Sequence, residues 1–98
     1  MTALRYAPEL ALDVARITAQ LQSHQVLDIE ARWVEIFDAF DILTRHPLIG
    51  RLVASGHREL VIGKGARGYL ALYTYNALDD VAYLLALRAQ REDKFVPR

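Results

Sequence analysis

Residues 46–92 constrain the fold more than any other part of the chain, because glycine and proline punctuation there encloses three runs of β-favouring residues. The runs are RELVI (58–62), YLALYTY (69–75) and DVAYLLAL (80–87). Turn residues separate them, GKGARG after the first run and NALD after the second, and this arrangement predicts an antiparallel meander. The last run is apolar at nearly every position, which is typical of a central strand covered on both faces.

The first half of the chain predicts a short strand and two amphipathic helices. TALRY, residues 2–6, alternates apolar and polar side chains and stops before Pro8. Apolar side chains then recur at helical spacing from Pro8 to about Ser23. A second helical pattern begins after Asp28, a good N-cap residue, and ends at the His46-Pro47 step. The short link between the two patterns predicts an antiparallel helix hairpin.

One apolar stripe runs along the second predicted helix. Its members recur at steps of four and three and are Ile29, Trp33, Ile36, Phe40 and Leu43, with Phe37 beside them. We predict that Trp33, Phe37 and Phe40 belong to the core, since aromatic stripes at this spacing are usually buried.

The length of 98 residues fits one domain, residues 1–98. The predicted fold class is α+β: an N-terminal short strand and an antiparallel two-helix hairpin packed on a mostly antiparallel sheet, in the order β-α-α-β-β-β. The absence of cysteine excludes disulfides and thiolate chemistry and fits a reducing cytoplasm. No signal-peptide pattern is present, and no apolar run approaches the roughly 20 residues that span a bilayer. A cytoplasmic protein without a membrane partner is predicted.

Charge is divided unevenly along the chain. Residues 1–47 carry 4 basic and 7 acidic side chains (4 − 7 = −3), and residues 48–98 carry 8 and 5 (8 − 5 = +3). The basic bias of the second half suits an acidic partner or RNA, but it is far from the strong excess that indicates nucleic-acid binding by itself. The apolar share of 53% leaves two readings open, a well-filled core or an apolar surface for a partner.

Several motifs that resemble functional sites have structural explanations. GKGARG matches the dinucleotide pattern GxGxxG, but a strand follows it instead of a helix, so we predict that its glycines supply the positive φ angles of a hairpin turn. His24, His46 and His57 stand in three different loops, and no metal or other cofactor is predicted. Asp79-Asp80 is predicted to form a turn. No serine stands in the setting of a hydrolase nucleophile.

Four features follow one another in a fixed order: Gly50-Arg51 in a loop, Arg58-Glu59-Leu60 opening a strand, Leu72-Tyr73 closing the next, and a polar segment with Arg91 after the last. In this order and spacing the chain resembles the RelE/ParE superfamily, small bacterial toxins of type II toxin-antitoxin systems, and within it the ParE-like plasmid stabilisation branch. The resemblance implies a growth-inhibiting toxin that is neutralised by a cognate antitoxin.

The resemblance also implies where an RNA-cleaving member would keep its site. Such members carry an arginine three positions before the closing tyrosine of the middle strand and a tyrosine near the C-terminus. Here these positions hold Leu70 and Phe95, which can neither bind phosphate nor transfer a proton. Loss of those residues is what the ParE-like branch shows, and its members look like binding inhibitors of DNA gyrase.

The function expected from the resemblance is therefore non-catalytic inhibition of DNA gyrase. The expected target-binding residues are Arg88, Arg91, Lys94 and Phe95. The first alternative is a ribosome-dependent mRNA endonuclease that uses Arg58, Arg67 and Arg91 in an altered arrangement, with ribosome and mRNA as partners. The second is a family member that is no longer toxic.

The partner common to all these readings is the antitoxin. The resemblance implies that its C-terminal segment covers apolar side chains of the helix hairpin and lies near the sheet, in a complex that can be of higher order. The sequence assigns no particular residues to this contact.

Overall fold

The computed structural model describes residues 1–97, apart from the side chain of Ala66. The elements are β1 (Ala3–Tyr6), α1 (Leu10–Ser23), α2 (Ile29–Ala39), β2 (Arg51–Leu52), β3 (Arg58–Ile62), β4 (Tyr69–Asn76) and β5 (Val81–Ala89), with 3-10 turns at Phe40–Thr44, Ala54–Gly56 and Gly65–Arg67. The predicted α+β class and the order β-α-α-β-β-β are confirmed. The segment predicted as a loop before β3 adds the two-residue strand β2, which is too short to leave a periodic pattern in the sequence.

The five strands form one mixed sheet in the order β1-β5-β4-β3-β2. β1 runs parallel to β5, and every other neighbouring pair is antiparallel. β5 therefore lies between the N-terminal strand and the meander, the central position that its apolar character predicts. A register shift opposite Leu72 and Tyr73 leaves Leu85 as an extra residue in β5.

The two faces of the sheet differ in what covers them. Tyr69, Ala71 and Tyr73 of β4 point to the helix face and are buried in the core. The core residues of the hairpin that cover this face are Leu10, Ile17, Leu21, Ile36, Phe40 and Leu43. Alternate residues point to the opposite face, which we call the open face. Its side chains include Val61, Leu70, Leu72, Tyr83 and Arg88.

The aromatic stripe of α2 is only partly core. Phe40 is completely buried, as predicted. Trp33 is half-buried, and its indole N–H donates to Thr18 Oγ1 at 3.0 Å. The prediction was wrong for Phe37, which is 38% exposed. Phe37 lies beside the stripe rather than on it, so its ring packs at the edge of the hairpin against Tyr6, 5.9 Å between centroids.

Caps and turns largely follow the sequence. Asp28 Oδ1 accepts the Ala31 N–H at 3.0 Å, which confirms it as the N-cap of α2. The α-helix ends earlier than predicted, at Ala39, and continues as a 3-10 turn. Gly63 and Gly65 have φ of +74° and +61°, as predicted for the β3–β4 connection, but the prediction was wrong for Gly68, whose φ is −80° and whose backbone is extended. None of the helices within residues 1–97 is long and apolar enough to cross a membrane.

The aspartates between β4 and β5 form the predicted turn. Asn76 Oδ1 accepts the Asp79 N–H at 3.1 Å, and Asp80 has a φ of +53°. Asp80 Oδ1 also accepts the hydroxyls of Thr2 and Tyr75, at 2.6 and 2.8 Å. Both hydrogen bonds lower the pKa of the Asp80 carboxyl, and the bond from Thr2 has the larger effect.

Candidate target-binding surface and cationic cavity

Three residues from the features that carry the family resemblance, Gly50, Arg58 and Tyr73, are joined by hydrogen bonds, and we call this group the lock. The Tyr73 hydroxyl accepts the Gly50 N–H and donates to the Pro47 carbonyl, both at 2.8 Å. A Cβ on Gly50 would lie 2.6 Å from the Tyr73 ring, so only glycine permits this approach. Burial raises the pKa of Tyr73 and keeps its hydroxyl protonated and able to donate. Gly50 and Tyr73 thus fasten the loop before β2 to the sheet.

Arg58 belongs to the same lock. Its Nη1 donates to the carbonyl oxygens of Leu48 and Gly50, at 3.1 and 2.9 Å. Next to it, Arg51 and Glu59 form an ion pair at 2.6 Å across β2 and β3. The guanidinium of Arg58 is therefore committed to holding the loop.

The expected catalytic arginines of the nuclease alternative are not assembled together. Arg58 begins β3, and Arg67 lies near the other end of that strand, next to the Ile62–Tyr69 pair. The ends of β3 are roughly 13 Å apart at about 3.3 Å per residue. Arg67 and Arg91 do come together, because both line one cavity at that far end.

Leu70 and Phe95, the two residues that the resemblance compares with catalytic positions, both lie near Arg88 on the open face. Leu70 pairs directly with Arg88 across β4 and β5. The Arg88 guanidinium carbon lies 5.2 Å from the centre of the Phe95 ring, a cation–π contact. Leu70, Arg88 and Phe95 therefore form a surface of one apolar, one cationic and one aromatic side chain.

Arg88 also organises the chain after β5. Its Nη1 donates to the carbonyl oxygens of Ala89, Gln90 and Glu92. Its Nε is buried and has no hydrogen-bond partner in the described part of the chain. The guanidinium is thus held between the turn and the Phe95 ring.

No protein-family model and no curated protein matches this chain. The resemblance to the RelE/ParE superfamily therefore depends on the motif order between Gly50 and Arg91. Within the described residues, no group of three histidine, aspartate or glutamate side chains is placed to hold a metal ion.

A partly buried ionic network, which the sequence analysis missed, anchors the turn after β5. Arg16 on α1 pairs with Asp13 at 2.6 Å and with Glu92 at 3.1 Å. Asp13, which is completely buried, accepts the Leu87 N–H at 2.9 Å, and Arg16 donates to the Leu87 carbonyl at 3.1 Å. Glu92 also accepts the Ala89 N–H at 2.9 Å. Side chains of α1 and the turn thus provide hydrogen-bond partners for the backbone groups of Leu87 and Ala89 in β5.

This network exists because β1 is short. The last residue of β5 with a partner in β1 is Leu84, opposite Tyr6, and the chain then turns away at Ala7 and Pro8. Beyond Leu84, β5 has no paired residue in β1. Its backbone N–H and C=O groups on that edge would lie unpaired against a helix, which costs free energy. A signal was present in the sequence, since Asp13 stands on the apolar stripe of α1, three residues before an arginine.

The network keeps Glu92 ionised. Partial burial acts to raise the pKa of Glu92, but hydrogen bonds from Arg16, the Ala89 N–H and Gln20 outweigh it, and the pKa lies below its usual value. The turn that carries Arg91 is therefore fastened to α1 by a charged group that stays charged under ordinary conditions.

The cavity beside this turn is cationic. It has a volume of about 510 Å³ and lies between the end of the helix hairpin and the end of the sheet. The side chains that line it and carry polar groups are Arg32, Arg67, Arg91, His24, Asp28 and Tyr69. Arg32 Nη1 donates to the Tyr69 hydroxyl at 3.0 Å, and Asp28 caps α2. Arg32 was absent from the expected sites because it stands in a helix, far in sequence from the other two arginines.

The remaining expected target-binding residues lie on the surface. Arg91 and Lys94 are exposed, and Phe95 is half-buried under Arg88. The four residues thus divide into an Arg88–Phe95 pair on the open face, Arg91, which lines the cavity, and Lys94, which is exposed and lines no part of that cavity. Arg98, the last residue of the basic tail, lies outside the described residues.

Proposed function

We propose that this chain is the toxin of a type II toxin-antitoxin pair and acts as a ParE-like, non-catalytic inhibitor of DNA gyrase. The observation that carries the proposal is the composition of the Leu70–Arg88–Phe95 surface. Where an RNA-cleaving relative would need a second cation and a proton donor, this surface has a leucine and a phenylalanine. Such a surface can bind a partner but has no group for proton transfer.

The proposed mechanism is inhibition by occupation. A toxin that binds one conformation of gyrase more tightly than the others shifts the enzyme towards that conformation without breaking any bond. Arginine and aromatic side chains are over-represented among residues that dominate binding energy. Arg88 and Phe95 are already ordered by their mutual contact, so less conformational entropy is lost when they bind.

The antitoxin part of the proposal is supported by apolar side chains on the outside of the hairpin. A mainly apolar cavity of about 400 Å³ lies between β1, α1 and α2, lined by Tyr6, Pro8, Leu10, Val14 and Phe37, among others. Tyr6 and Phe37 are 47% and 38% exposed although their rings contact each other. A partner segment with apolar side chains would complete the packing of these rings.

A second candidate, RNA cleavage, is favoured by one observation in the cavity. His24 Nδ1 lies 2.7 Å from the Gln20 carbonyl oxygen. Since a carbonyl only accepts, Nδ1 carries the proton there and Nε2 is left for acid-base work. His24, Arg67 and Arg91 line the same cavity, which is a minimal set for proton transfer and phosphate binding.

The experiment that tests the proposal is controlled induction in bacteria followed by pulse labelling of DNA and protein synthesis in parallel. We expect DNA synthesis to fall first while protein synthesis continues, and co-expression of the neighbouring antitoxin gene to abolish the effect. An immediate fall in protein synthesis would favour the second candidate. Unaltered growth and synthesis would exclude a toxin.

Variants then connect the effect to the surface. We expect Phe95→Ala to weaken inhibition of purified gyrase in a supercoiling assay. Arg45→Ala is the matched control, because Arg45 is an exposed arginine outside this surface. His24→Ala should leave gyrase inhibition intact, whereas loss of toxicity on this substitution would support RNA cleavage.

A further inference from the structure

The cationic cavity has an uncompensated charge. The side chains of Arg67 and Arg91 form no hydrogen bond or ion pair within residues 1–97, and the Arg32 side chain has only a neutral partner there, the Tyr69 hydroxyl. The one acid in the lining, Asp28, caps α2 through Oδ1 and offsets one of the three positive charges, so a net positive charge is left. Like charges that line one cavity repel one another, and an anion bound between them relieves that repulsion.

From this arrangement we propose that the cavity is a binding site for a small phosphate-bearing ligand of nucleotide size. Guanidinium groups match phosphate oxygens with two parallel hydrogen bonds, and arginine is the preferred residue for this contact. Arg67 and Arg91 hold the phosphate in this assignment. The Tyr69 hydroxyl, which accepts from Arg32, has no acceptor for its own proton within residues 1–97 and supplies a further donor.

The apolar part of the lining determines the size and class of the ligand. Leu21, Val26, Leu27 and Ala89 form the walls beside the arginines. The volume of about 510 Å³ lies within the range of small-molecule sites, roughly 300–1,000 Å³. An inorganic ion would leave these walls without a partner, whereas a ring attached to the phosphate would contact them.

A nucleic-acid strand fits the arrangement less well. Strands are bound along extended basic grooves with stacked aromatic side chains. Here the arginines converge on one space from α2, the β3–β4 connection and the turn after β5, and the chain has a net charge of zero. The site is therefore distinct from the open face that contains Leu70, Arg88 and Phe95.

The test is a titration of the purified full chain with AMP, inorganic phosphate and a short single-stranded RNA, followed by the NMR signals of the arginine side chains. We expect AMP to shift the signals of Arg67 and Arg91 and to bind more tightly than inorganic phosphate. In the double variant Arg67→Gln/Arg91→Gln, AMP affinity should fall about tenfold or more, since two charge-assisted contacts are lost. Arg45→Gln, the exposed control, should bind AMP like the unaltered chain.

Three outcomes would overturn the proposal. The first is a loss of AMP affinity in the Arg45→Gln control as large as the loss in the double variant. The second is binding of AMP that is no tighter than binding of inorganic phosphate. The third is binding of the RNA without binding of AMP. The last outcome would instead assign the arginines to a strand, as the RNA-cleavage candidate requires. The exposed positions of Arg67 and Arg91 mean that the double variant should fold, which thermal unfolding followed by circular dichroism verifies.

Discussion

Replacing Asp13 by alanine should destabilise the protein more than any substitution of an exposed charge. The carboxylate is completely buried and accepts hydrogen bonds from the Leu87 N–H at 2.9 Å and from Arg16 at 2.6 Å. Removal of the carboxylate leaves a buried backbone N–H without a partner, at a cost of about 1–3 kcal/mol. It also breaks a buried ion pair, for which about 3–5 kcal/mol is typical. Arg16 is partly exposed and keeps its ion pair with Glu92 in this variant. We therefore expect the lower end of this range, a loss of about 3 kcal/mol in the free energy of unfolding.

The assay is equilibrium unfolding in urea, in which a stability change appears as a lower midpoint with an unchanged slope. Asp13→Asn keeps the volume and an acceptor for the Leu87 N–H but loses the charge, so we expect a loss of about 1–2 kcal/mol. The matched control is Asp38→Ala, because Asp38 is an exposed aspartate on α2. Its free energy of unfolding should stay within about 0.5 kcal/mol of that of the unaltered chain. If Asp13→Ala loses less than about 1 kcal/mol, the assignment of the β5 edge to this carboxylate is wrong.

Three further predictions concern the lock and the turn. Gly50→Ala should lower stability by about 1–3 kcal/mol, because its Cβ would overlap the Tyr73 ring, and an unchanged melting temperature would contradict this. Tyr73→Phe should cost about 1–3 kcal/mol in urea unfolding, since the buried Gly50 N–H loses its acceptor; a neutral effect would mean that water replaces the hydroxyl. The lowered pKa of Glu92 implies stability that is complete above the usual glutamate pKa of about 4.3 and is lost as the pH falls through the lower folded value. Urea midpoints measured against pH should therefore fall less steeply in Glu92→Gln, and identical acid profiles would refute the assignment.

The sequence predicts those parts of the fold that depend on residues close to one another in the chain. Strand β3 coincides with its predicted residues, because RELVI lies between turn-forming segments, and Asp28 caps α2 because its side chain needs only the next turn of chain. The parallel partner of β5 is different. Its pairing with β1 joins residues almost eighty positions apart, and no local pattern specifies it.

The candidate site could be predicted less completely, for the same reason. Arg67 and Arg91 were among the expected site residues, but their shared cavity depends on Arg32 and His24 from the helix hairpin. Arg58 was expected at the same site, and only the structure shows that its guanidinium is bound to the carbonyls of the Gly50 loop. A charge in a sequence motif does not reveal whether its partner is backbone, another side chain or a ligand.

The same distinction explains why the motif indicates a resemblance more readily than an activity. Gly50, Arg58 and Tyr73 are required by contacts with one another, so they record how the loop before β2 packs on the sheet. The residues that would determine an activity have fewer such constraints. The Arg91 side chain has no hydrogen bond or ion pair within residues 1–97, and Phe95 contacts the Arg88 guanidinium, which is not part of the lock, so either residue can change without disturbing the lock. The chemistry of the surface can therefore vary while the motif persists, and a target is established by experiments on Arg91 and Phe95 rather than by the residues of the lock.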